Sequence, residues 1–192
     1  MELGHLSAKY ESNGDPGAIA YTVGDAGGAS YGAYQFATNA GIPQDFCASM
    51  ELDWGVPGTQ EFDANWRAMA EADPEGFLLI QHRYVYEKYF VPAHNLLAAS
   101  GFYLSSHSEA LGQVVWSAAV QYGPGYIVEL FNTAAALSGV NDPNELPDRV
   151  LIENIYVVRA SDEWTAGSPS LRPGLRDRFA AECQDALAML EE

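Results

Sequence analysis

The sequence is poor in basic residues. Of its 192 residues, 9 are Lys or Arg and 26 are Asp or Glu, which gives a formal charge of −17 at pH 7. Because Lys and Arg supply most of the affinity for phosphate groups, this balance argues against DNA, RNA and anionic lipid as the main partner. It is compatible with a neutral or cationic ligand, and it also favours solubility.

Cysteines and long apolar runs are scarce as well. Cys47 and Cys183 are too few for a disulfide framework, so we expect two buried free thiols. No apolar run reaches the roughly 20 residues of a transmembrane helix, and no membrane insertion is predicted. The opening MELGHLSAKYE has neither a basic start nor a long apolar core, which argues against a signal peptide. The histidines show no paired metal spacing, and neither a metal nor a cofactor is implied.

Apolar residues, by contrast, are abundant and follow a helical pattern. The hydrophobic share of 48% predicts a packed core, and the length predicts a single domain over residues 1–192. Beyond residue 40, apolar side chains recur at spacings of three and four, as in Phe62, Trp66 and Met69. The sequence therefore predicts a mainly α fold.

Three helix boundaries can be predicted from local signals. Asp73 followed by Pro74 is typical of a helix start, and Asp142 followed by Pro143 gives the same signal later. The segment 108–123, SEALGQVVWSAAVQYG, is apolar on nearly every side. We expect it to form a buried central helix that ends at its glycine.

The segment 9–36, KYESNGDPGAIAYTVGDAGGASYGAYQF, is too rich in glycine for a helix. It predicts an irregular loop or a small hairpin near the N-terminus. Glu11 lies at the end of a predicted first helix over residues 2–11, where the helix dipole disfavours a carboxylate. In apolar surroundings such a group has a raised pKa and donates protons near neutral pH.

The same segment resembles the catalytic signature of the lysozyme-like superfamily, closest to goose-type lysozymes and lytic transglycosylases. The matching elements are Glu11-Ser12, Gly24-Asp25 and the sequence YGAYQ at residues 31–35. A second stretch, AVQYGPG at residues 119–125, is similar to a motif that many lytic transglycosylases carry at the end of a buried helix. Gln121 stands in this motif for an Asn, and Tyr122 can replace a missing aromatic residue.

This resemblance implies a lysozyme-like helical domain whose Gly-rich loop forms the active site. The implied activity is hydrolysis of β-1,4 linkages in bacterial peptidoglycan, with Glu11 as general acid. Asp25 would activate water as general base, although an aspartate before Ala-Gly-Gly is also typical of a turn. The residues implied in sugar binding are Ser30, Tyr31, Tyr34, Gln35, Gln121 and Tyr122. Tyr31 and Tyr34 are equally compatible with a core position.

Several alternatives remain open at this point. A chitosanase, or a lysozyme specific for de-acetylated glycan, would fit the acidity of the chain. A lytic transglycosylase would need no second acid, and a metallopeptidase that cuts wall crosslinks is a weaker choice. A non-catalytic wall-binding or virion module is the alternative from a different class. The absent signal peptide favours a phage-encoded protein or one delivered by a secretion or injection device.

Overall fold

The structure is a computed structural model that describes residues 3, 4, 6, 14–21, 28–167 and 169–191. The chain divides into two compact units, one of Ala8–Tyr86 and one of Met1–Ser7 with Glu87–Glu192. We call them the sheet unit and the helical unit. Since compact units of this kind occur within single domains as well, the single domain over 1–192 stays a prediction.

The sheet unit carries all the strands of the described residues. Its elements are β1 (Ile19–Tyr21), β2 (Ala29–Tyr31), β3 (Phe36–Ala37), α1 (Ile42–Ser49), α2 (Gln60–Ala72) and α3 (Pro74–Val85). The strands form one antiparallel sheet in the order β1-β2-β3, with Ile19 opposite Tyr31 and Ser30 opposite Ala37. This sheet confirms the small hairpin that the Gly-rich segment predicts. Helices make up most of the described residues, which confirms the mainly α class.

An aromatic cluster forms the core of the sheet unit. The Trp66 ring lies 5.0 Å from Phe77, 5.2 Å from Tyr31 and 5.5 Å from Phe46, measured between ring centroids. Trp66, Tyr31 and Phe46 are fully buried. Tilted and edge-to-face pairs of this kind are favourable beyond the area they bury. The helical spacing of Phe62 and Trp66 places both side chains in this core.

Side chains of α2 and α3 hold the Gly-rich segment against them. Trp66 Nε1 and Gln81 Nε2 each donate to the Pro16 carbonyl at 2.9 Å, and Gln81 Oε1 accepts from the Ala33 amide at 2.9 Å. Gly32 has φ 72°, and a Cβ there would overlap the Gln81 amide and lie 2.9 Å from the Trp66 ring. Only glycine therefore fits at residue 32.

The helical unit is built around one central helix. Its helices are α4 (Val91–Ala99), α5 (Glu109–Tyr122), α6 (Ile127–Leu137), α7 (Asp148–Arg159) and α8 (Arg172–Ala188), with 3-10 turns at Leu104–Ser106, Pro124–Tyr126 and Pro143–Glu145. A π-helical turn, Tyr86–Phe90, precedes α4 in the chain. Helix α5 packs against α4, α6, α7 and α8. This arrangement confirms the predicted buried central helix.

Two of the predicted helix boundaries are confirmed. The Asp73 side chain accepts a hydrogen bond from the Gly76 amide at 2.9 Å, and Pro74 is the first residue of α3. Helix α5 ends at Gly123, whose φ of 83° is accessible to glycine at little cost.

The predicted helix start at Asp142 and Pro143 is wrong. These residues begin the 3-10 turn Pro143–Glu145, and α7 begins only at Asp148. The reason is a second proline, because Pro147 restricts the residue before it to extended backbone and so breaks a continuous helix.

The prediction of two buried free thiols is confirmed in part. Cys47 and Cys183 are both free thiols, but only Cys47 is buried and Cys183 is half-buried. The predicted helix over 2–11 falls almost wholly outside the described residues. None of the helices in the described part of the chain combines the length and apolar composition that a bilayer crossing requires.

Candidate functional site

The two predicted catalytic residues, Glu11 and Asp25, lie outside the described residues. Their roles as acid and base stay predictions. Within the described residues, no group of three or more His, Cys, Asp and Glu side chains is placed to hold a metal ion.

Two predicted sugar-binding residues of the sheet unit lie in its core. Tyr31 is fully buried, and its hydroxyl donates to Asp63 Oδ1 at 2.7 Å and accepts from the Gly58 amide at 2.7 Å. Burial, with the Asp63 carboxylate beside it, raises the pKa of Tyr31, so the phenol stays neutral. Tyr34 is also buried, and its hydroxyl lies 2.7 Å from His82 Nδ1. Contact with a glycan would require either ring to leave the core, and that contact stays a prediction.

The other two predicted residues of this unit lie on β2 and in the turn that follows it. Ser30 is half-buried on β2, opposite Ala37. Gln35 has φ 51° in the turn between β2 and β3, and its Nε2 donates to the Gly32 carbonyl at 3.1 Å. The Gln35 amide thus finds the partner that a polar group at this position requires, within its own turn.

The helical unit contains a pocket of about 210 Å³. It is lined by Tyr122, Tyr126, Glu129, Glu163 and Trp164. These residues come from the end of α5, the following 3-10 turn, the first turn of α6 and the loop after α7.

Local sequence explains how the pocket residues meet. Gly123 ends α5, and Pro124 begins a 3-10 turn that leads directly into α6. Tyr122 and Tyr126, four positions apart around this turn, thus line the same space. Glu129 follows in the first turn of α6.

Three aromatic rings form the walls of the pocket. The Trp164 ring stands perpendicular to Tyr122, with centroids 5.0 Å apart and an interplanar angle of 90°. Tyr126 lies 6.3 Å from Trp164 at 77° and is 56% exposed. The rings thus offer faces in different directions, with Glu129 and Glu163 as the acidic part of the lining.

A buried ionic network lies behind Tyr122. Arg159, the last residue of α7, is fully buried and pairs with the fully buried Glu182 of α8 at 3.2 Å. Arg159 Nη2 also donates to Gln121 Oε1 at 2.6 Å and to Ser117 Oγ at 3.1 Å. Its guanidinium lies 5.8 Å from the centroid of the Tyr122 ring. These contacts hold the end of α5, and with it Tyr122, in a fixed place.

The same network affects ionisation at the pocket. Burial raises the pKa of Tyr122, while the positive charge of Arg159 acts in the opposite direction. The net direction is upward, so the buried Tyr122 hydroxyl stays neutral.

Of the residues predicted from the sequence, Tyr122 lines this pocket and Gln121 supports it through Arg159. The sequence analysis did not predict the other four lining residues, which are Tyr126, Glu129, Glu163 and Trp164. The sequence did contain a signal for two aromatic side chains outside the buried core, since Tyr126 directly follows Gly-Pro-Gly and Trp164 directly follows Asp-Glu in a loop. Their proximity, however, depends on α7 returning beside α6, which no local pattern predicts.

All the residues that line the pocket lie within the part of the chain that matches a known protein family. A family model described as "Type VI secretion system spike protein VgrG3-like, C-terminal" matches residues 3–183. The type VI secretion system spike protein VgrG3 of Vibrio cholerae serotype O1 is 33% identical over 195 aligned residues. The alignment covers 98% of this chain and 19% of the relative, so the chain spans about a fifth of that protein.

These matches correct the family predicted from the sequence. The lysozyme-like assignment rested on two short motifs of turn and helix-end residues, whereas the spike family matches nearly the whole chain. The assignment is wrong, and so is the interpretation built on it of a phage-type endolysin with an antimicrobial function. Glycosidase activity as such stays a prediction. The chain belongs to the VgrG3-like C-terminal family of type VI secretion system spike proteins.

Proposed function

We propose that this chain is the C-terminal module of a type VI spike protein and that it binds cell-wall peptidoglycan through the pocket of the helical unit. The spike would carry the module to the wall, in keeping with the delivery by a secretion device that the sequence favours. Of the alternatives drawn from the sequence, the non-catalytic wall-binding module agrees best with the family.

The observation that carries this proposal is the aromatic lining of the pocket. Sugar rings have apolar faces that pack on Tyr and Trp side chains, and Tyr122, Tyr126 and Trp164 offer three such rings around one space. The sugar hydroxyls can donate to the carboxylates of Glu129 and Glu163.

The size of the pocket limits what enters it. Pockets for drug-sized ligands measure about 300–1,000 Å³. A space of about 210 Å³ accommodates a smaller group, such as one sugar ring or the end of one peptide side chain. We therefore expect the pocket to take a single unit of the wall polymer.

Co-sedimentation with purified peptidoglycan sacculi tests the proposal. We expect the wild-type chain to be retained and Trp164→Ala to bind about tenfold more weakly, which corresponds to a loss of about 1.4 kcal/mol. An unfolding curve of the variant checks that its fold is intact. Absence of wild-type retention, or equal retention of the folded variant, would contradict the proposal.

The predicted glycosidase activity is tested on the same material. Mass spectrometry of the supernatant detects soluble muropeptides released by wild type and by Glu11→Gln. Retention on sacculi without soluble products agrees with a non-catalytic module. Products that only the wild type releases would identify Glu11 as a catalytic residue and overturn the non-catalytic reading, while leaving the pocket as a binding site.

A further inference from the structure

We propose that the pocket of the helical unit is an ammonium-binding site, which selects wall components that carry a free amino group. This inference deepens the proposed function and rests on it for the biological source of the ligand. The ligand chemistry itself follows from the lining residues.

The first argument is the balance of hydrogen-bonding groups. A neutral sugar hydroxyl both donates and accepts, whereas an ammonium group has three donors and no acceptor. Among the five lining residues, Glu129 and Glu163 supply acceptors only, and none is Lys, Arg, His, Asn or Gln. The side-chain donors are limited to the Tyr126 hydroxyl and the Trp164 indole, because the Tyr122 hydroxyl is buried. This lining suits a ligand group that only donates.

The second argument is the arrangement of the rings. A cation within about 6 Å of an aromatic centroid is attracted to the negative face of the ring, most strongly for Trp. Trp164 lies perpendicular to Tyr122 and at 77° to Tyr126, with centroids 5.0 Å and 6.3 Å away. Because only the ring faces attract a cation, a bound ammonium group would lie against those faces of the three rings that border the pocket.

The third argument is charge. Glu129 and Glu163 add two negative charges to this lining, within a chain whose formal charge is −17. A cation does lie nearby, since Arg159 is 5.8 Å from the Tyr122 ring. Its side chain is fully buried, however, and pairs with Glu182 at 3.2 Å, and neither it nor Arg178, which pairs with the same carboxylate at 2.7 Å, lines the pocket. The carboxylates of the pocket therefore remain to attract a ligand of positive charge.

Two wall components carry such a group: an amino sugar without its N-acetyl group, and a stem-peptide residue with a free side-chain amine. Isothermal titration calorimetry of the full chain separates them. The probes are a glucosamine hexamer, an N-acetylglucosamine hexamer, a lysine-containing tripeptide, and that tripeptide acetylated at Nε. We expect at least one amine-bearing probe to bind tenfold or more tighter than its acetylated counterpart, with affinity that falls as salt rises.

Matched charge variants locate the effect. Glu129→Gln and Glu163→Gln should each weaken the amine-bearing probe severalfold and change the acetylated one little. Glu145→Gln serves as control, because it removes the same charge from an exposed residue that does not line the pocket. Equal affinity for amine and acetylated probes in both pairs would overturn the proposal, as would an equal loss in the control variant.

The outcomes for the two proposals are distinguishable. Retention on sacculi that depends on Trp164, without amine preference in solution, leaves the wall-binding proposal standing and overturns the ammonium site. Amine preference that depends on Glu129 and Glu163, without retention on sacculi, leaves the ammonium site standing and overturns the wall-binding proposal.

Discussion

At the scale of single residues, Glu182 organises the interior of the helical unit. Its carboxylate is fully buried, and it pairs with Arg159 at 3.2 Å and with Arg178 at 2.7 Å. Ser117 Oγ donates to it at 2.9 Å as well. Charges held out of water in this way persist only when they are paired and hydrogen-bonded.

Glu182→Gln should therefore destabilise the protein strongly. Removing one partner of a buried ion pair leaves an uncompensated charge on Arg159 and costs about 3–5 kcal/mol of unfolding free energy. The measurement is urea unfolding followed by circular dichroism. The control is Glu191→Gln, which breaks an exposed pair with Arg149 and should cost less than about 1 kcal/mol. Similar losses in the two variants would contradict the account.

Gly32 allows a second test at this scale. In Gly32→Ala, the new methyl group would overlap the Gln81 amide and crowd Trp66, in addition to the strain of a φ of 72°. Gly41→Ala has the same backbone strain at φ 73° but meets nothing within 4 Å. In thermal unfolding, the midpoint temperature should fall clearly further for Gly32→Ala than for Gly41→Ala. If the two midpoints fall equally, then backbone strain alone explains the glycine.

The residue scale is also where the sequence says least about burial. Tyr31 and Tyr34 carry the same side chain as Tyr122, and all three were predicted to bind sugar. Tyr122 lines the pocket of the helical unit, while the other two lie in an aromatic core. Burial depends on what packs against a residue from distant parts of the chain, and the local motif contains no information about that.

At the scale of elements, the start of α5 is held by α7. Asp148 accepts from the Ser108 amide at 2.6 Å and lies 2.7 Å from His107 Nδ1. Ser108 in turn caps α5 by accepting from the Leu111 amide at 3.3 Å. The first residue of one helix thus fixes the N-terminus of the central one.

This junction should make stability depend on pH. Burial acts to raise the pKa of Asp148, but the hydrogen bonds from Ser108 and His107 outweigh it and hold the pKa below its usual range. A lowered folded-state pKa contributes stability above the unfolded value near 4, and this contribution is lost as pH falls through the folded value.

Asp148→Asn removes the titrating group, so wild type should be more stable than the variant at pH 6. Their difference in unfolding free energy should shrink as the pH falls below about 4. Urea unfolding at pH 6, 4 and 3 measures it. A difference that stays constant with pH would show that Asp148 acts through packing rather than through its charge.

Two of the three element boundaries predicted from local signals were predicted well. Asp73 with Pro74 starts α3, and Gly123 ends α5, because each residue satisfies or interrupts backbone hydrogen bonds by itself. Asp142 with Pro143 carries the same start signal but yields only a 3-10 turn before Pro147. The outcome there depends on a competing signal a few residues downstream.

At the scale of the whole molecule, composition and helical periodicity were sufficient for the mainly α class. They were not sufficient for the family, because two short motifs pointed to lysozymes while the match to the spike family extends over residues 3–183. Short runs of Gly, Ser and Gln recur wherever a chain needs a tight turn. Agreement along a whole chain is far less easily reached by chance.

The measurement that tests the central claim most directly compares two tyrosines on sacculi. Tyr126 and Tyr103 both lie in the helical unit and are 56% and 57% exposed, but only Tyr126 lines the pocket. The account predicts that Tyr126→Ala raises the dissociation constant for purified sacculi about fivefold or more, a loss of about 1 kcal/mol, and that Tyr103→Ala leaves it unchanged. Equal affinity of both variants and the wild type would contradict wall binding through this pocket.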